Sequence, residues 1–190
     1  FEGRGAPHVP GLDSVRLLGR FNLQAGSPSY FETFGTRIVR GRGFTEADRA
    51  DSPPVVIVSE SMANVLWRGR NAIGQIMRIG SDTFPYLTVV GVAQDIRGSR
   101  LRGDPEFWYY LPIAQYVGRH GPSAPHLLVR VNGHAEEYVG TLRRRLQREM
   151  PGASYVVVTP FSDIVGARRQ SWRVGATMFA VFGGLVLVGG

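Results

Sequence analysis

The sequence contains no cysteine and no lysine, and each absence removes classes of function. Without cysteine, the chain cannot form a disulfide framework, a thiolate metal site or a cysteine nucleophile. Without lysine, it cannot contain the phosphate-binding loop GxxxxGK[ST], so any ATP hydrolysis must come from another domain or chain. The basic residues are therefore all arginine, which is typical of GC-rich coding sequence.

Charged residues are also few, at 19%, whereas hydrophobic residues reach 43%. This balance is typical of globular proteins and excludes wholesale disorder. A length of 190 residues suits one medium domain or two small subdomains.

The net charge of +7 raises the possibility of a nucleic-acid partner. The arginines are spread along the chain, however, and the densest cluster, Arg143–Arg148, lies at the end of an amphipathic pattern where solvated cations are expected. No zinc finger, basic zipper or RNA-binding signature is present. The sequence therefore predicts no nucleic-acid partner, and a basic nucleic-acid-binding module remains only an alternative.

The residues that usually carry catalysis show no recognisable pattern. The histidines are His8, His120, His126 and His134, and their spacing fits no metal site. Ser59 lacks the glycines of a nucleophile elbow and is better explained as a helix N-cap. We therefore predict no catalytic residue, no metal and no cofactor, and we expect that the chain is not an enzyme.

Apolar runs and turn residues predict a mixture of strands and helices. The predicted strands are Val15–Leu23, Val55–Val58, Tyr86–Ala93, Phe107–Leu111, Leu127–Val131 and Tyr155–Val158. The predicted helices begin at Ser27-Pro28 (ending at Gly35), at Ser59 (ending near Trp67), at Ala135 (ending at Met150) and at Pro160. Strict βαβ alternation is absent, so we predict an α+β fold with mixed sheets, packed helices and two subdomains.

The last segment, Val174–Gly190, contains no charged residue and several glycines. Because a membrane-spanning helix needs about 20 apolar residues, we expect a transmembrane helix that the sequence truncates. The predicted organisation is an extracytoplasmic domain at 1–159, a connecting stalk helix at 160–173 and the start of the transmembrane helix at 174–190. The alternative is a soluble hydrolase in which this last helix is buried in the core.

Three stretches resemble one known family. GSPSYFETFGTRIVRGRGFTEAD (Gly26–Asp48) resembles the pattern SPxYFxxxGxxxxxGRxFxxxD of the MacB-like periplasmic core domain, which occurs in FtsX-like ABC transporter permeases, including the duplicated-permease subgroup. PPVVIVSESMANVLWRGRNAIGQIMRIG (Pro53–Gly80) and LTVVGVAQDIRGSRLRGDPEFWYYLPIAQ (Leu87–Gln115) resemble the segments that follow it in that family.

The resemblance implies a non-catalytic domain that couples ATP-driven motion of membrane helices to export or mechanotransmission. It also implies a place on the periplasmic side of the bacterial inner membrane. The partners it implies are a cytoplasmic ABC ATPase subunit, acting through the rest of the permease, and a second permease in a dimer.

The resemblance also singles out positions that we expect to be architectural. They are Pro28, Tyr30, Phe31, Gly35, Gly41, Phe44, Trp67, Gly74, Gly91 and Asp95. We expect the aromatic side chains to be largely buried and the glycines to lie in turns or close approaches. Gly91 lies inside a strand pattern, which predicts a bulge or a tight backbone contact there.

Overall fold

Seven strands of the first of two units form one mixed sheet. The computed structural model describes residues 2–4, 7–12, 15–80, 83–96, 106–120, 126–149 and 155–164. The two units are Phe1–Arg130 and Val131–Gly190. The strands are β1 (Glu2–Arg4), β2 (Arg20–Gly26), β3 (Ile38–Gly41), β4 (Val55–Ser59), β5 (Ile76–Met77), β6 (Leu87–Ala93) and β7 (Glu106–Pro112). The helices are α1 (Tyr30–Phe34), α2 (Glu60–Leu66), α3 (Ile113–His120) and α4 (Ala135–Glu149).

The strand order is β1-β2-β7-β4-β6-β3, with β5 also pairing with β6. The pairs β2/β7 and β4/β6 are parallel, and the other pairs are antiparallel. A mixed sheet with helices confirms the predicted α+β class.

Both faces of the sheet are covered, because successive side chains of a strand point to opposite faces. Val56 and Val58 of β4 pack on one face with Met62 of α2, which we call the α2 face. Val55 and Ile57 pack on the other face with Phe31 of α1, which we call the α1 face. This double burial explains the continuous apolar run of β4.

A bulge interrupts β6. Val89 pairs with Val56, but the next residue of β4, Ile57, pairs with Gly91. One extra residue in β6 therefore shifts the alternation, so that Val89 and Val92 both pack on the α2 face. The register confirms the irregularity predicted at Gly91.

The strands predicted at β4, β6 and β7 are confirmed within about two residues at each end, as is the helix that Ser59 begins. The predicted strand Val15–Leu23 is correct only in its second half, since a 3-10 helix occupies Arg16–Leu18. Ser27 was predicted to cap the first helix, and this is wrong. Its carbonyl instead closes a turn with the Tyr30 N–H at 3.0 Å, and α1 begins two residues later than the cap would place it.

Two predicted strands are wrong. Residues 126–131 and 155–160 have no regular secondary structure. Leu127 and Tyr155 are 71% and 76% exposed, so these apolar runs find no neighbouring strand among the described residues. The sequence analysis also missed the whole of α3, although Pro112, Ile113 and Tyr116 have the spacing of a helix start with one apolar face.

In the second unit, α4 confirms the amphipathic helix predicted from Ala135. The Gln147 Oε1 atom accepts a hydrogen bond from the Val156 N–H at 3.0 Å, and Ser162 Oγ donates to Glu136 Oε1 at 3.3 Å. Residues 161–164 form one helical turn just after Pro160. The rest of the predicted stalk, to residue 173, and the predicted transmembrane segment 174–190 lie outside the described residues. Among the helices that the structure describes, none has the length and apolar character needed to cross a bilayer.

Candidate functional site

Several of the motif positions meet on the α1 face. Phe31 and Phe44 are buried there together, with ring centroids 5.7 Å apart. Phe31 also meets Tyr110 edge-on at 4.9 Å, and half-buried Tyr30 packs on Phe31 and Tyr110 at 5.2 and 5.9 Å. These rings attach α1 and the loop after β3 to the centre of the sheet.

The end of α1 is fixed by a distant arginine. Gly35 adopts a left-handed conformation (φ +71°) and its N–H bonds the Glu32 and Phe31 carbonyls. The Arg130 Nη1 atom donates to the Glu32 carbonyl at 3.1 Å, which places a cation at the helix C-terminus. A Cβ on Gly35 would lie 3.3 Å from Arg130 Nη2, so the absence of a side chain there leaves room for this contact.

An ion pair closes the loop that follows β3. Arg42 donates from Nη1 and Nη2 to the two carboxylate oxygens of Asp48, each at 2.8 Å, and the Thr45 N–H donates to Asp48 Oδ2 at 2.8 Å. Asp48 is 6% exposed, whereas Arg42 is 46% exposed. The hydrogen bonds from Arg42 lower the pKa of the Asp48 carboxyl and raise that of the guanidinium. The Arg42–Asp48 ion pair thus holds the turn that contains Phe44, whose side chain is buried in the core.

Asp95 holds the start of α2. It follows β6, and its Oδ1 accepts hydrogen bonds from the Ser61 N–H at 3.0 Å and from Ser61 Oγ at 2.8 Å. Ser59, the N-cap predicted from the sequence, accepts from the Met62 N–H at 3.4 Å. The carboxyl ends of the parallel strands β4 and β6 thus supply two side chains to one helix terminus.

The glycines Gly41 and Gly91 form the close approach between β3 and β6. Gly41 has φ +72°, and a Cβ on it would collide with the Val90 carbonyl oxygen. A Cβ on Gly91 would collide with the Arg42 carbonyl oxygen. Only glycine fits at either position.

The remaining motif positions lie apart from this group. Trp67 is buried on the α2 face at the end of α2. Gly74 lies in a turn at φ +85°, with open space where a Cβ would be, and its N–H donates to the Val89 carbonyl at 2.8 Å. Pro28 is exposed in the turn before α1.

Sequence reasoning missed two polar residues that organise the core. Gln115 of α3 is buried, and its Oε1 accepts a hydrogen bond from the Val55 N–H at 3.1 Å. Asp48 closes the pattern SPxYFxxxGxxxxxGRxFxxxD, but it is absent from the positions that were expected to be architectural. The pattern GRxFxxxD, in which Arg42 precedes Asp48 by six residues, could have indicated the ion pair.

The hydroxyl and carboxylate groups near the start of α2 make hydrogen bonds that stabilise the fold. Ser59 Oγ contacts the N–H groups of Met62 and Trp108, and Ser61 Oγ donates to Asp95, so both hydroxyls and the carboxylate hold backbone in place. Within the part of the chain that the structure describes, no group of three potential metal ligands occurs. A cavity of about 40 Å³ lined by Leu23, Leu111 and Tyr116 has room for only a few waters.

Comparison with known proteins identifies a family and solved structures that resemble this chain. The family described as the MacB-like periplasmic core domain matches residues 6–149. No curated protein matches the chain. The solved periplasmic region of MacB from Actinobacillus actinomycetemcomitans is 17% identical, with a TM-score of 0.62, over 89% of this chain and 72% of that one. The extracellular domain of the noncanonic ABC-type transporter YknZ from Gram-positive bacteria is 17% identical, with a TM-score of 0.58, over 84% of this chain and 78% of that one.

The two structures share the fold, and the family match covers most of the chain, including every motif position discussed above. The chain therefore belongs to the family of MacB-like periplasmic core domains of ABC transporter permeases.

Proposed function

We propose that this domain is a non-catalytic part of an ABC transporter permease that passes ATP-driven motion of the membrane helices on to export or mechanotransmission. In this proposal it lies on the periplasmic side of the bacterial inner membrane, in a permease dimer served by a cytoplasmic ABC ATPase. The observation that carries the proposal is the family match over residues 6–149.

The contacts of the motif residues support a mechanical role. A domain that transmits motion needs loops and helix ends that stay attached to the strands that carry them. The Arg42–Asp48 pair fixes the loop after β3, Asp95 fixes the start of α2, and Arg130 fixes the end of α1. Two-pronged arginine–carboxylate pairs are suited to this role because they fix geometry as well as adding energy.

The side of the membrane can be tested directly, because the chain contains no cysteine. In an otherwise cysteine-free full-length permease, exposed Arg68→Cys is expected to react with a membrane-impermeant maleimide added to intact spheroplasts. Buried Met62→Cys is the control and is expected to react only after unfolding. Labelling of Arg68→Cys only after lysis would place the domain in the cytoplasm and end the proposal.

The coupling role predicts a separation of two activities. In the purified permease with its ATPase, Arg42→Ala is expected to leave ATP hydrolysis nearly unchanged while transport or mechanical output falls. Arg40→Ala is the control, since Arg40 is exposed on β3 two residues away. Equal losses of hydrolysis and output for Arg42→Ala, or no loss of either, would argue against coupling through this domain.

A further inference from the structure

The sheet is divided at its centre. Strands β4 and β7 pair at only two positions of the described chain, Ile57 opposite Tyr110 and Val58 opposite Tyr109. By contrast, β2 and β7 pair at seven positions and β4 and β6 at five. We call the β4–β7 pairing the seam. It joins a block of β1, β2 and β7 to a block of β3, β4, β5 and β6.

A side chain replaces the strand pairing at each end of the seam. The same register, carried two residues further, would place Ser59 opposite Trp108, but the Trp108 N–H donates instead to Ser59 Oγ at 3.2 Å. At the other end it would place Val55 opposite Pro112, which has no N–H to donate. There the Val55 N–H donates to Gln115 Oε1 at 3.1 Å.

Both replacing side chains are buried and also tie the seam to a helix. Ser59 is fully buried and caps α2. Gln115 is 3% exposed, belongs to α3, and donates from Nε2 to Ser52 Oγ at 3.0 Å and to the Pro53 carbonyl at 3.1 Å. A displacement of either helix is therefore transmitted to one end of the seam.

The closed seam also contains an unsatisfied group. Tyr110 is fully buried, and its hydroxyl has no hydrogen-bond partner among the described residues. A buried hydroxyl without a partner costs free energy that contact with water would recover. Separation of β4 from β7 breaks only the two strand pairs described above.

We infer that the seam is a hinge about which the two blocks of the sheet bend, with Ser59 and Gln115 as the ties that limit its opening. Side-chain packing on both faces holds it closed, because Tyr109 belongs to the α2-face cluster and Tyr110 to the α1-face cluster. The inference concerns the fold itself and stands whether or not the domain serves a transporter.

Hydrogen exchange in the wild-type chain tests the hinge with an internal control. Successive N–H groups of a strand point to opposite neighbours, so the N–H of Ile57 faces β7 as that of Val55 does, and the N–H of Val56 faces β6. Likewise the N–H of Tyr110 faces β4, as that of Trp108 does, and the N–H of Tyr109 faces β2.

In the full 190-residue chain in detergent micelles, amide-resolved exchange is expected to be at least about tenfold faster at Ile57 and Tyr110 than at Val56 and Tyr109. Equal protection within each strand would overturn the hinge. No variant is required for this comparison, so it cannot fail through misfolding.

Gln115→Met tests the tie, because it keeps a similar volume and removes the acceptor for the Val55 N–H. We expect a further increase of about tenfold in exchange at Ile57 and Tyr110, with Val56 and Tyr109 unchanged. Gln94→Met is the matched control, since it makes the same substitution at an exposed residue whose Oε1 accepts a hydrogen bond from Arg37 Nε and not from the seam. If Gln115→Met raised the exchange rate equally at all four of these amides, the variant would be generally destabilised, and the role of Gln115 as a tie would be overturned.

Discussion

Gly41 and Gly91 are paired across β3 and β6, and a Cβ on Gly41 would strike the Val90 carbonyl oxygen, whereas one on Gly91 would strike the Arg42 carbonyl oxygen just after β3. The pair lies beside the bulge of β6 and directly before Arg42, the cation that closes the next loop. The close contact between Gly41 and Gly91 thus fixes where the loop after β3 begins, and this loop carries both the Arg42–Asp48 ion pair and the buried Phe44.

Gly91→Ala is expected to destabilise the domain by about 3 kcal/mol, because overpacking against backbone cannot be relieved by a rotamer change. Gly43→Ala is the control: its Cβ would meet only Ile38 Cγ1, at 3.9 Å, so the change is expected to be close to neutral. Denaturant unfolding of the two variants measures the difference, and equal midpoints would disprove the close approach.

Asp48→Asn is expected to cost about 1 to 2 kcal/mol at neutral pH, since the charged hydrogen bonds with Arg42 are lost. The pKa of Asp48 is lowered in the folded state, so its stabilising contribution is complete above the unfolded pKa near 3.8 and is lost as pH falls through the folded value. Unfolding measured from pH 6 to pH 2 should therefore show a shallower loss of stability in the variant.

Asp51→Asn provides the comparison for that experiment. Asp51 is 79% exposed and lies 3.5 Å from Arg49, so the loss of its charge should change stability by less than about 0.5 kcal/mol. If both variants gave the same acid profile, the Arg42–Asp48 pair would have no special role.

Alkaline titration should reveal the buried tyrosines at the seam. Burial raises the pKa of Tyr109 to about 12 and also raises the pKa of Tyr110. A neutral phenol is favoured in the folded state, so this contribution is present below pH 10 and is lost as pH rises from 10 towards 12. Absorbance at 295 nm should therefore show part of the tyrosine signal ionising only together with unfolding. Complete ionisation of all seven tyrosines near pH 10 in a chain that stays folded would contradict the burial.

Asp95→Ala is expected to cost about 1 kcal/mol and to increase exchange at the first amides of α2, because Ser61 loses its acceptor. Asp95→Asn retains an oxygen at the same position and should recover most of the loss. If alanine and asparagine behaved alike, the capping contact would not be stabilising α2.

Local sequence patterns were sufficient to predict those strands and helices whose burial or capping is determined by neighbouring residues. The buried run of β4, the Ser59 cap and the β-branched run of β6 were all predicted, because burial on both faces and capping are written in neighbouring residues. The stretches around Leu127 and Tyr155 have the same composition but no partner strand in the described chain, so composition alone misled.

The long-range hydrogen bonds that join the strands and helices could not be predicted from local sequence patterns. Gln115 bonds the Val55 N–H across 60 residues of chain, and Ser59 bonds the Trp108 N–H across 49. Periodicity identifies which face of an element is buried but not which strand lies beside it, so the division of the sheet was invisible before the strands were paired.

The parallel pairing of β2 with β7 has a consequence for how the protein is made. All of β3 to β6 must leave the ribosome before β2 can acquire that neighbour, so one edge of an apolar strand stays unpaired until β7 has been made. Assembly is expected to start from β4, α2 and β6, which are close in sequence, and to finish when β7 enters between β2 and β4. The last strand to arrive is thus the one that completes the centre of the sheet, and a chain interrupted before it would be a substrate for chaperones and proteases.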